Sequence, residues 1–431
     1  MKVLMFGWEF PPHITGGLGT ACYGMTKGLL KQGAEVLFVV PKAYGDEDQR
    51  AVRIVNASDV VVDFKNSEFF EFAKSLTYME VGSNLVPYLD PEEFEKFSSE
   101  QQKEITQSEK SIFSRKFEFS GKYGTNLMEE VSRYALVAGA VASQYEFDVI
   151  HAHDWLTYYA GIAAQKVSGK PLVVHIHATE FDRTGENINT LVYEIERNGM
   201  MAADRVIAVS NLTRKVVVEK YGINADKVFT VHNAIEPVEK PDSVNVKKAV
   251  KEKVVTFLGR ITFQKGPEYF IETAHKVLQR DRNIRFVMAG SGDMMNKMIR
   301  RVAQLKIADR FHFTGFLKGE SVDRMFALTD VFVMPSVQEP FGLVPLEAMR
   351  TNVPVIVSKQ SGVAEVLKYA IKVDFWDVNG TADAIWGLLH YKALSQIFTK
   401  YGKDEVDNLK WEYAAVKIMD VYRDAVTNHK Q

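Results

Sequence analysis

Apolar positions along the chain fall into short, unbroken runs separated by stretches with helical spacing. In the first half the runs are VLMF from Val3, VLFVV from Val36, DVIHAH from Asp148, LVVHIH from Leu172, RVIAVS from Arg205 and VFTVHN from Val228. Continuous β-branched runs suit parallel strands buried on both faces. Between them lie helical patterns such as NLMEEVSRYALVAGAVASQY. Strand and helix in alternation predict a doubly wound α/β domain over residues 1–236. A charged stretch with two prolines and no sustained apolar face then predicts a linker over 237–253. The series restarts with VVTFLGR from Val254, RFVMAG from Arg285, FHFTGF from Phe311, VFVMPS from Val331, PVIVSK from Pro354 and IKV from Ile371. This predicts a second α/β domain over 254–405. Two such sheets in tandem leave a cleft between their strand ends, the edge at which open α/β sheets bind ligands.

Two segments stand apart. Residues 84–123 are polar and aromatic and interrupt the first domain as a solvated insertion. Residues 406–431 carry an amphipathic helix with Trp411, Ala415, Ile418 and Tyr422 on one face, and that face predicts a return across the first domain.

With 431 residues, two domains fit the length better than one core. Hydrophobic residues make up 46% and charged residues 25%, an ordinary globular balance. The 53 basic and 55 acidic side chains leave a net charge of −2, which argues against nucleic acid or an anionic membrane as the main partner. A single cysteine, Cys22, forbids an intramolecular disulfide and fits a reducing compartment. No run has the length of a secretory h-region or a spanning helix, so the expectation is a cytoplasmic chain without a transmembrane segment.

The chemistry begins at TGGLG, Thr15 to Gly19, between the first strand and a helical pattern. A glycine-rich turn leading into a helix suggests an anion against backbone amides. The dinucleotide fingerprint fails, because its third glycine falls on Cys22. The second domain carries EPFGLVPLEA, Glu339 to Ala348, directly after a buried strand. It predicts one carboxylate, Glu339, in a loop and another, Glu347, in the first turn of a helix starting near Pro345. The amides of Phe341, Gly342 and Leu343 would face an anion at that start. Taken alone, an acidic residue beside a helix start reads as a cap.

These strings resemble a known family. EPFGLVPLEA is similar to the E-x7-E signature of retaining nucleotide-sugar glycosyltransferases of the GT-B architecture, two Rossmann-like domains facing across a cleft. GRITFQKG, Gly259 to Gly266, resembles that group's G-R-x-x-x-x-K-G turn. HAHDW, His151 to Trp155, resembles the glycogen and starch synthase branch, and VHIHATEFDR, Val174 to Arg183, the H-A-T-E segment of α-glucan synthases. The resemblance covers nearly the whole chain. It implies that Arg260, Lys265 and the Gly16 and Gly17 amides hold a donor diphosphate, that Glu339 orients the sugar and that Glu347 holds the ribose. His177 would contact the donor sugar. The implied reaction moves glucose from ADP- or UDP-glucose to an α-glucan or related glycoside, with no metal and no cofactor. Bacterial glycogen synthases often carry Lys where this chain has Thr15, which widens the resemblance to family 4 glycosyltransferases making sucrose-phosphate, trehalose or envelope glycans.

Each residue has a plainer reading. Arg260 and Lys265 read equally as surface charges but for their place after a strand. Asp154 is balanced between capping the next helix and serving the acceptor site. Of His151 and His153, one is expected to face the core as a satisfied histidine. Asp46 to Asp48 reads as a solvated D-x-D, and no His/Cys spacing suits a metal. A nucleotide-sugar epimerase, a glycan phosphorylase and a silent sugar-binding protein are the rival classes. Base, acceptor and oligomeric state stay open.

Overall fold

The computed structural model describes residues 1–13, 16–47, 52–63, 114–121, 124, 126–236 and 251–429. Most of the expected 84–123 insertion and of the linker, with Thr15 and Asp48, lies outside the described residues. The first sheet is built from β1 (Lys2–Phe6), β2 (Glu35–Val40), β3 (Arg53–Asn56), β6 (Val149–His153), β7 (Leu172–Ile176), β8 (Arg205–Ala208) and β9 (Val228–Thr230). β4 (Val62–Asp63) and β5 (Ser114–Arg115) form a separate antiparallel pair. The second sheet holds β10 (Lys253–Leu258), β11 (Ile284–Ala289), β12 (Phe311–Gly315), β13 (Val331–Met334), β14 (Val355–Ser358) and β15 (Ile371–Val373).

Helices connect the strands. In the first unit they are α1 (Gly17–Lys31), α2 (Leu127–Gln144), α3 (Trp155–Ser168), α4 (Glu180–Thr184), α5 (Thr190–Ala202) and α6 (Asn211–Tyr221). In the second they are α7 (Pro267–Arg280), α8 (Met295–Gln304), α9 (Glu320–Leu328), α10 (Val344–Arg350), α11 (Val363–Val366), α12 (Val378–His390) and α13 (Lys392–Asp407), and α14 (Trp411–Asn428) follows.

Every neighbouring pair in the two large sheets is parallel, in the orders β3-β2-β1-β6-β7-β8-β9 and β12-β11-β10-β13-β14-β15. Both orders run outward from a central strand and then reverse, the Rossmann arrangement. Each apolar run found in the sequence supplies a strand, because a strand covered by helices on both faces must be apolar throughout.

The first sheet buries two cores. Leu4, Phe6, Ile150, Ala152 and Val174 pack toward α2 and α3; Val3, Met5, Val149, Val173 and Ile207 pack toward α1 and α14. The expected return of the C-terminal helix is therefore present. Trp411, Ala415, Ile418 and Tyr422 are buried in the core that α14 shares with α1, where Gly24 lets the indole approach and Gly28 the Trp411 carbonyl. A Cβ on Gly24 would stand 2.1 Å from Trp411 Nε1. Among the described residues no helix is long and apolar enough to cross a membrane.

Candidate functional site

A reversal of strand order leaves a crevice at the carboxyl ends of the strands, and each sheet has one. In the first sheet it lies between β1 and β6, in the second between β10 and β13. The predicted site residues leave the sheets at or beside these points. Gly16 and Gly17 start α1 after β1, Asp154 follows β6 and His177 follows β7. Arg260 and Lys265 follow β10, and Glu339 to Leu343 follow β13.

On the second sheet, two glycines set the geometry. Gly266, at φ +65°, closes the turn Phe263–Lys265 and opens α7; a Cβ there would lie 2.1 Å from the Pro335 carbonyl oxygen. The β10 turn is thereby pressed against the end of β13. Gly342, at φ +98°, folds the next loop back until a Cβ would meet Glu339 Cγ at 3.1 Å. The result brings together residues 74 apart: the Lys265 ammonium donates to Glu339 Oε2 in an ion pair, and Ser336 Oγ donates to the same oxygen at 3.2 Å. Glu339 is only 6% exposed. Its backbone also forms a bridge beside β14, with its amide donating to Gln360 at 2.9 Å and its carbonyl accepting from Gly362 at 2.9 Å. Arg260 is exposed and donates to Gln264 Oε1 at 3.1 Å. Leu343 heads α10 with no side-chain cap, Phe341 is buried, and Glu347 lies in the first turn, where burial raises its carboxyl above the usual range.

On the first sheet, Asp154 does not cap α3. It sits at φ +57°, ψ 171°, a strained backbone for a residue with a Cβ. Its carboxylate turns inward and accepts from the amides of His177 at 2.6 Å and Ala178 at 3.4 Å. Burial pushes it up to about 6, against the Arg183 charge and those two amides. Asp154 thus holds the loop carrying His177. Burial also pushes His177 down to about 3, so it meets a ligand as a neutral imidazole.

The loop is fixed from the other side by side chains with no assigned role in the sequence. Thr179 and Asp182 cap α4 reciprocally, through bonds of 2.6, 2.8 and 3.3 Å. Arg183 donates to the Ala178 carbonyl at 3.1 Å and pairs with Glu180 at 3.1 Å and with Glu196, which also accepts from Tyr221. The T-x-x-D spacing was a legible cap signal; the partners of Arg183 were not.

The two halves meet. Gln338 Nε2 donates to Asp182 Oδ1 at 2.8 Å, α4 packs on the turn Phe263–Lys265, and Leu343 Cδ1 lies 4.0 Å from where a Cβ on Gly17 would stand. Glu365 reaches across to accept from the amides of Asn211 at 2.9 Å and Leu212 at 2.8 Å, capping α6. The start of α1 carries no side-chain cap. Gly16, Gly17, Leu343, the His177 loop and the Lys265–Glu339 pair thus border one seam.

One expectation about the histidines changes. His151 and His153 do not divide between faces: residues two apart on a strand share one, and both are fully buried. With His175 they form a cluster that linear spacing does not reveal, because β6 and β7 each contribute to it. Of the acidic triplet, Asp46 bonds His13 at 2.7 Å and Glu47 accepts from the amides of Tyr44 and Gly45.

The description "starch synthase catalytic domain" matches residues 2–231, more than half of the chain, and "glycosyl transferases group 1" matches residues 239–405. The chain belongs to the starch synthase catalytic-domain family. It is a GT-B glycosyltransferase of the glycogen and starch synthase type, a hexosyltransferase. An uncharacterized glycosyltransferase of Methanocaldococcus jannaschii is 29% identical, over 99% of each chain. A glycogen synthase of Mycobacterium tuberculosis is 22% identical, over all of this chain and 96% of the relative. The fold superposes on the catalytic domain of starch synthase IV from Arabidopsis thaliana, solved with ADP and acarbose, with a TM-score of 0.67, 16% identity and 99% coverage of both chains.

Proposed function

We propose that the protein transfers a glucosyl unit from ADP- or UDP-glucose to an α-glucan or related glycoside acceptor, with retention at the anomeric carbon, in the cytoplasm. The observation that carries the reading is the Lys265–Glu339 pair, with exposed Arg260 on the same turn, set at the strand-order reversal of the second sheet. A nucleotide-sugar donor asks for that combination. Its leaving diphosphate gathers negative charge as the glycosidic bond breaks, and positioned cations and amides stabilise that charge. Arg260 and Lys265 supply the cations; the uncapped start of α1 at Gly16 and Gly17 supplies amides.

Glu339 accepts hydroxyls of the sugar, and Lys265 holds the carboxylate in place until the donor arrives. His177, neutral and anchored by Asp154, contacts the sugar from the other side. Glu347 takes the ribose, and Phe341, Gly342 and Leu343 shape the wall behind the nucleotide. Front-side attack by the acceptor needs no protein base, so none is assigned, and the organic cations take the place of a metal at the diphosphate. The starch synthase IV neighbour, solved with ADP and acarbose, supports a nucleotide-plus-glycan site of this kind.

The test is incubation with labelled ADP-, UDP- and GDP-glucose and a series of glucan acceptors. New α-linked product from ADP- or UDP-glucose supports the reading. Transfer only from GDP-sugars, an inverted product or epimerised donor refutes it.

A further inference from the structure

The face of the first sheet beneath α1 and α14 holds four imidazoles where an apolar core is the norm. His151 and His153 lie on β6, His175 on β7 is the register partner of His153, and His177 follows β7. His151, His153 and His175 are 0%, 0% and 1% exposed. Ring nitrogens from these three lie within 4.8 Å of one another. His151 Nε2, His153 Nε2 and both nitrogens of His175 are buried with no hydrogen-bond partner among the described residues. Buried polar atoms are almost always satisfied, so such a concentration calls for a ligand between the rings.

We propose that His151, His153 and His175 bind a divalent transition-metal ion of the Zn²⁺ class, at a buried site that adjoins the sugar-nucleotide seam through the His153–His177 contact.

The outer bonds of the rings favour it. His151 Nδ1 lies 2.6 Å from the Tyr422 hydroxyl, and His153 Nδ1 lies 3.1 Å from His177 Nε2. With the proton on each Nδ1, both outer bonds are made and both Nε2 lone pairs stay free for a ligand. Metal-ligating histidines are held in this way, through the nitrogen that does not bind the ion. The ring centroids are 4.2, 5.4 and 5.4 Å apart. Imidazole nitrogens at about 2.0–2.1 Å from a tetrahedral Zn²⁺ put ring centres about 5 Å apart. The Cys22 thiol adjoins the cluster, within 4.8 Å of ring nitrogens of His153 and His177. Imidazole with a neighbouring thiol selects Zn²⁺ or copper over Mg²⁺ or Ca²⁺. Asp154 and Glu9, both buried, act electrostatically on that thiol and supply negative charge near a dication. Bound there, the ion ties β6 and β7 to α14 through Tyr422, and to the His177 loop through His153.

The competing surface group is His13, Asp46 and Glu47, which also converge. The full-length chain is stripped with a chelator and titrated with Zn²⁺ by calorimetry. It is compared with His151→Gln/His175→Gln and with His13→Ala. One equivalent should bind, and the melting temperature should rise by roughly 5–10 °C at hundredfold excess over the dissociation constant. Both effects should vanish in the double variant and persist in His13→Ala. Because the double variant replaces core residues, a crystal of the unsubstituted chain soaked in Zn²⁺ gives an independent reading. Anomalous density among the three rings supports the site. Water alone at that place, density only beside His13, or binding lost in His13→Ala and kept in the double variant overturns it.

Discussion

Lys265 and Arg260 sit on one turn and serve one proposed ligand, yet their removal should have different consequences. Arg260 is exposed and bonds only the side chain of Gln264 among the described residues. Arg260→Ala should leave unfolding within about 0.5 kcal/mol of the parent, as surface substitutions do. Lys265 faces a carboxylate that is 6% exposed and that has, among the described residues, one other side-chain donor, Ser336. Truncating one member of a buried ion pair costs about 3–5 kcal/mol, because the other charge stays buried. The Lys265 side chain keeps 21% of its exposure, so part of its charge is already solvated, and about 2–4 kcal/mol is the fitting expectation. At about 2–4 °C per kcal/mol for a domain of 150–250 residues, Lys265→Ala should melt roughly 4–16 °C lower. Adding Glu339→Gln should restore most of that loss by removing the orphaned charge. Transfer should fall about 10²–10³-fold in both single variants and should not recover in the double. Calorimetric melts beside radiolabel transfer rates check each arm. If Lys265→Ala melts with the parent, or Glu339→Gln does not restore it, the pair is not the coupled buried unit inferred here. Near-normal turnover in both single variants removes the two cations from the mechanism.

Four further outcomes follow from the same structure. Glu339→Gln should bind free nucleotide diphosphate normally and transfer poorly, whereas Glu347→Gln should weaken nucleotide binding about 10–100-fold, the value of a bond to a charged acceptor; calorimetry showing the opposite pattern reverses the two assignments. Transfer should change less than about twofold on adding Mg²⁺ or Mn²⁺, because cationic side chains occupy the diphosphate position; a strict requirement for either ion refutes this. Gly24→Ala places a methyl where Trp411 Nε1 packs and should cost about 1–3 kcal/mol, with a changed indole emission; an unchanged melt and spectrum would mean that α14 is not seated as described. Glu196→Gln weakens the charge-assisted bonds to Arg183 and Tyr221 while the Arg183–Glu180 pair remains, and should destabilise by about 1–3 kcal/mol while raising the donor KM through the His177 loop; a fully stable variant with an unchanged KM shows that the network does not hold that loop.

The strands were legible because burial on both faces forces an apolar run, and composition records burial directly. The docking of α14 was legible for the same reason: Trp411, Ala415, Ile418 and Tyr422 recur at helical spacing, and only a covered face needs them. The local conformations were legible in part. Glycine at 266 and 342 is a visible signal, but the backbone approach that excludes a Cβ at Gly266 comes from Pro335, just past the end of β13. Pairings across the sheet were the blind spot. Lys265 and Glu339 were both site residues by resemblance, but nothing in either string says that they bond each other, so the structural part Lys265 plays beside its chemistry was not legible. Asp154 shows the same limit. Its place before a helix has the signature of a cap, and only the His177–Ala178 segment after β7 offers the amides that turn the carboxylate inward. The histidines state the principle most sharply. Strand period puts His151 and His153 on one face, which was derivable; the register of β7 against β6 puts His175 beside them, which was not. A one-residue slip of that register would send His175 to the opposite face and dissolve the cluster. Chemistry that depends on such a register is specified by the whole core that fixes it, and no local string carries it.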